Sequence, residues 1–191
     1  MTGPTPARGS GPSGSADSPR RDAPAPRNAQ RGTRDRDPAG RARNSRPRDA
    51  LGRPLPRDAA GEPQLPDQPA LSPEAALGLA QELIDSGRPF SAHEVLEASW
   101  KAAPPAERAL WRGLAQVAVG LTHAQRGNAR GAVALLRRGA QGVAGYATSP
   151  PHGIDAAPVA SRAAELADLI EHDGLAAAPA ALRISLRSGP G

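Results

Sequence analysis

Apolar residues recur at helical spacing from about residue 71 onward and are nearly missing before it. Ala76, Leu79, Ala80, Leu83 and Ile84 share one stripe, which predicts a first helix near 74–86. Ser72 suits its cap, Pro73 its first position and Gly87 its end. In the next stretch, "RPFSAHEVLEASW" at 88–100, Ala92, Val95, Leu96, Ser99 and Trp100 cover one arc of a wheel turning about 100° per residue. Ser91 and Glu94 have the S-x-x-E spacing of a capping box, in which hydroxyl and carboxylate each satisfy a free backbone N–H. Phe90 and Val95 stand where a hydrophobic staple would, so a helix start at Ser91 is expected. Pro104 and Pro105 close this second helix.

A third helix is expected near 106–126. Leu110, Leu114, Val117 and Leu121 make one face, while Ala115 and Val119 lie on another. A helix apolar around most of its circumference is central in its bundle. Gly113, Gly120 and Ala124 fall close together on the wheel and invite a near neighbour. "RGN" at 126–128 supplies a stop, and Asn128 a cap for a fourth helix near 129–145 with Val133, Leu136, Ala140 and Val143 inward. Glycines at 131, 139, 142 and 145 work against that helix, each costing about 1 kcal/mol relative to alanine in an interior position. "TSPPHG" reads as a loop, and Val159, Leu166, Leu169 and Ile170 define a fifth helix near 157–172, followed by Gly174. "ALRISL" alternates apolar and polar residues and is expected to lie as an extended strap over the bundle, since no partner strand is visible. The pattern therefore predicts an all-α fold: a small bundle of about five helices over residues 71–191, preceded by a long tail.

Composition sharpens the division. Residues 1–70 hold 13 of the 22 prolines and 8 of the 21 glycines, with 13 Arg against 8 Asp and Glu. Residues 71–191 balance 11 basic against 11 acidic side chains, so the formal charge of +5 belongs to the tail. So little apolar surface cannot offset the entropy of ordering, and disorder is expected through residue 70. The basic balance raises a nucleic-acid accessory role. Against it, acidic residues alternate with the arginines in "RGTRDRDPAGRARNSRPRD" and no aromatic is present to stack on bases, so weak nonspecific phosphate attraction is what the charge implies. Cysteine is absent, which excludes disulfides and thiolate chemistry. No run is apolar enough to span a membrane, and the twin arginine of "SPRRDAPA" has no apolar segment after it. A cytoplasmic protein without membrane contact is the expectation.

Candidate chemistry concentrates in the second helix. His93, Glu97 and Trp100 follow at i, i+4 and i+7 and can line one wall, with about 5–6 Å between Cβ atoms of the i,i+4 pair. "HEVLE" is one substitution from the H-E-x-x-H of zinc proteases. A metal-dependent hydrolase would take His93 and Glu97 as ligands, His123 or Glu107 as a third, and Glu94 as base. Yet Glu94 is already claimed by the capping box, and no second H-x-x-H or E-x-x-H completes a two-helix site, so no metal or other cofactor is favoured. The plainer alternative is a structural pair in which His93 meets Glu97 while Trp100 packs on its neighbour. A third is a ligand pocket. On the third helix Arg112, Gln116 and His123 fall within about 40° of one another, forming either a solvated stripe or the facing wall of that pocket. The expected arrangement brings His93, Glu97 and Gln116 together and leaves Glu94 beside Ser91.

"FSAHEVLEASW" followed by "LWRGLAQVAVGLTHAQRGNARGAVALL" resembles the domain of unknown function 309 family, small helical proteins of bacteria and archaea. That family carries an H-E-x-x-E-x-x-W run, a Q-G-L-I-Q-x-A pattern and a G-N-x-x-G-A turn, and the likeness spans roughly residues 74–145. It marks His93, Glu94, Glu97, Trp100, Gly113, Leu114, Gln116, Ala118, Gly127, Asn128, Gly131 and Ala132. Arg112 stands where the family has its first Gln, and Ala115 where it has Ile. The resemblance implies an all-α bundle and no defined activity. The leading expectation is a non-enzymatic module binding a small molecule or protein partner between the second and third helices.

Overall fold

In the computed structural model, which describes residues 46–61, 71–177 and 183–187, five α-helices follow one another. They are α1 (Pro73–Asp85), α2 (Pro89–Ala102), α3 (Arg108–Gln125), α4 (Ala129–Ala144) and α5 (Ala156–Asp173). Two three-residue 3-10 turns and two isolated backbone bridges complete the regular structure, and no strand occurs among the described residues. The fold is all-α.

Local chemistry sets the helix ends. Ser72 accepts the Ala75 N–H at 3.3 Å and Pro73 opens α1. At its end Gly87 takes φ +74°, and the Arg88 and Gly87 N–H groups reach back to the Leu83 and Ile84 carbonyls at 2.7 and 3.0 Å. These are the two bonds of a Schellman motif, which satisfies carbonyls the helix leaves open. The same motif ends α3, where Asn128 and Gly127 donate to His123 and Ala124 at 2.9 and 3.0 Å. Asn128 then caps α4 by accepting the Gly131 N–H at 2.9 Å.

The start of α2 differs from expectation. Arg88 occupies the cap position and Pro89 the first helical position, because the chain leaves the α1 motif directly into a proline whose φ is preset for helix. Ser91 and Glu94 therefore lie inside the helix and form no capping box, and Phe90 belongs to the first turn rather than to a staple.

α3 packs between α2 and α4, and α5 closes on α4. Leu110, Leu114, Val117 and Leu121 are fully buried on α3, joined by Trp111 and by Ala115 on the other side. Glycines permit the α3–α4 approach: a Cβ at Gly139 would stand 2.8 Å from the Gly113 carbonyl oxygen and 2.9 Å from the Val117 nitrogen.

Two peripheral segments complete the unit. Ile184 and Leu186 are buried, and the Gln81 side chain supplies them with a surrogate strand edge, accepting from the Leu186 N–H at 2.7 Å and donating to the Ile184 carbonyl at 3.3 Å. The extended strap is thus as expected. Residues 46–61, expected to be disordered, instead form a turn closed by Asp49 N–H to Arg53 carbonyl at 3.0 Å and Leu55 N–H to Pro47 carbonyl at 2.7 Å. The turn needs no core of its own, because it rests on Phe90 and on Arg126, whose Nε donates to the Leu51 carbonyl at 2.7 Å. The expectations for residues 1–45 and 62–70 lie outside the described residues.

Candidate functional site

α2 and α3 are consecutive and antiparallel across a short connection, so their outer edges leave a cleft of about 290 Å³. From α2 come His93, Glu97 and Trp100; from α3 come Arg112, Ala115, Gln116 and Val119. Each set follows its helix at i, i+3 or i+4, and i+7, so two stripes face one space. Trp100 is half-buried against the core, and the Arg112 guanidinium lies over its ring, 5.9 Å from the centroid.

His93 is fixed within its own helix. Its Nδ1 hydrogen-bonds the Phe90 carbonyl, an acceptor only, so Nδ1 carries the proton and Nε2 turns toward the cleft. The imidazole also packs on the Phe90 ring, with centroids 4.8 Å apart. Nε2 lies 3.9 Å from Glu97, too far for a hydrogen bond. Glu97 is held instead by Lys101 at 2.9 Å, one turn on. The Glu97–Lys101 pair has the ordinary i,i+4 spacing of a helical Glu–Lys contact, which is visible in the sequence. Gln116 shares the cleft with His93 and Glu97 as expected, yet no hydrogen bond joins it to either.

Glu94 stays off the cleft wall. Burial pushes its carboxyl above the usual range, against the attraction of His93 and Arg48. His123 does not join either. Its Nδ1 accepts from the Asn128 side-chain amide at 2.7 Å, and burial, helped by the Arg126 charge, holds its pKa below the ordinary value. His93, Glu97 and His123 are therefore not gathered into one ligand set, and no three His, Cys, Asp or Glu side chains among the described residues form a metal-holding group.

A second polar cluster went unread in the sequence. His152, in the Pro151–Gly153 turn, has Nε2 2.8 Å from Glu107 and Nδ1 3.4 Å from Glu74. Glu107 also accepts the indole N–H of buried Trp111 at 3.2 Å. The His152 hydrogen bond holds the Glu107 carboxyl below its ordinary range. This cluster ties the α4–α5 connection to the starts of α1 and α3, and its members are far apart in sequence, which hid it.

The fold and cleft define a small helical-bundle domain with a mixed polar and aromatic groove between its second and third helices. Residues 77–135 match the model of the family described as Domain of unknown function (DUF309), so the chain resembles that family across the whole of the cleft. Comparison with curated proteins and with solved structures returns no match. No helix among the described residues is long and apolar enough to cross a membrane.

Proposed function

We propose that this protein is a non-enzymatic binding module that holds a small molecule in the α2–α3 cleft. The observation that carries the reading is Gln116. It is half-buried in the cleft wall, and its side-chain amide has no hydrogen-bond partner among the described residues, so it stays open to a group entering the cleft. A bound ligand would satisfy it. Around it, His93 Nε2 and the Arg112 guanidinium face the same space, and Trp100, Ala115 and Val119 offer apolar surface. A few convergent polar groups over an apolar wall are what small-molecule sites share. The lining residues orient a ligand; none of them is a hydroxyl, thiol or amine nucleophile.

A thermal-shift screen of small molecules against the full chain tests this. Compounds that stabilise the wild type should lose their effect on the His93→Ala, Trp100→Ala double variant. Stabilisation that survives both substitutions would place the binding elsewhere and sink the reading.

A further inference from the structure

We infer that the cleft takes a small carboxylate-bearing molecule, its carboxylate held by Arg112 and Gln116 and its apolar body against Trp100 and Val119. This rests on the reading of the cleft as a binding site and names the class of ligand.

Charge decides first. Glu97 has a counterion in Lys101 at 2.9 Å, whereas Arg112 has none among the described residues. Beneath Arg112 lies only the Trp100 ring. The charge left without a counterion at the cleft is therefore cationic, and a guanidinium matches a carboxylate through two parallel N–H donors. The cation–π contact with Trp100, 5.9 Å from the ring centroid, keeps the guanidinium on the cleft side of α3.

Donor geometry agrees. Gln116 follows Arg112 by one turn, so the two side chains share one face of α3 and can both donate to an anion in the cleft. Ala115 and Val119 flank Gln116 and, with Trp100, supply apolar surface for the remainder of the ligand. A cation would face Arg112 directly. A phosphate dianion would find a single full cation, whereas a monoanion matches one guanidinium. The volume of about 290 Å³ lies at the small end for such sites, so the ligand is small.

The test follows the indole N–H signal of Trp100 by NMR in the full chain, assigned with Trp100→Phe. Benzoate and 4-methylpentanoate are titrated alongside their primary amides and the matching amines. The expected result is a saturable shift with the carboxylates, at least tenfold weaker binding of the amides and amines, and at least tenfold weaker carboxylate binding by Arg112→Gln. Amides or amines that bind as tightly, or carboxylate binding untouched by Arg112→Gln, would overturn the carboxylate class while leaving the cleft a binding site. If no compound of any series moves the Trp100 signal, the carboxylate class and the cleft reading fall together.

Discussion

His152 carries φ 58° and ψ 20°, the only positive φ at a residue other than glycine among those described. A left-handed backbone costs a side-chain-bearing residue roughly 1–2 kcal/mol, so the ring's contacts with Glu107 and Glu74 must outweigh that strain. Both His152→Ala and His152→Gly lose the ring, but only alanine keeps the strain. Urea denaturation should show His152→Ala to be less stable than His152→Gly by about 1 kcal/mol; equal stabilities would mean that the turn relaxes freely. His123 makes a prediction about pH. Its folded-state pKa lies below the ordinary 6.5, so the unfolded chain binds more protons between the two values. Its contribution to stability is complete above 6.5 and is lost as pH falls through the folded value. The melting temperature of His123→Gln should therefore change less between pH 7 and pH 5 than that of the wild type, and parallel profiles would refute the assignment. Neither histidine's role was legible beforehand. The helical wheel groups His123 with Arg112 and Gln116, but its partner Asn128 lies past the end of the helix. His152 meets carboxylates that only the tertiary fold brings near.

Helices were legible where a single residue type does a single local job. Ser72, Gly87, Gly127 and Asn128 each end or start a helix as their chemistry dictates. The failure at Ser91 arose from two competing local signals. The S-x-x-E spacing was real, but Pro89 sits closer to the preceding helix end and takes the first position. The glycines that counted against α4 have their reason in packing, since Gly139 lies against the backbone of α3. That reason predicts opposite signs for one substitution. Gly139→Ala should destabilise by about 1–3 kcal/mol, because backbone must move to admit the methyl. Gly78→Ala, in α1 with nothing within 4 Å of the new Cβ, should stabilise by up to about 1 kcal/mol. Chemical denaturation of the two variants checks both, and a stabilised Gly139→Ala would show that α3 and α4 are not held this closely.

At the scale of the whole molecule, the bundle is finished by pieces that carry little secondary structure. The strap buries Ile184 and Leu186 fully, and two such side chains are worth about 3–6 kcal/mol at roughly 1.5–3 each. Replacing both with serine should lower stability by an amount in that range, and a loss well under 1 kcal/mol would mean the strap is dispensable. The alternation of "ALRISL" showed the strap in advance; the Gln81 side chain that receives it did not show, because one glutamine on a helix face has no periodic signature. The turn at 46–61 was hidden by its composition, since its Arg, Pro and Gly residues signal disorder unless an aromatic such as Phe90 is placed beneath them.

The two stripes of the cleft were legible from spacing alone: His93, Glu97 and Trp100 on one helix, Arg112 and Gln116 on the other. That they enclose a ligand is the central claim. Its most direct test is an amide NMR map of the full chain, recorded with and without a compound that stabilises it in the thermal-shift screen. The account predicts that the perturbed signals concentrate at residues 93–100 and 112–119. Perturbations gathered instead around His152 or the 46–61 turn, with the cleft signals unmoved, would contradict it.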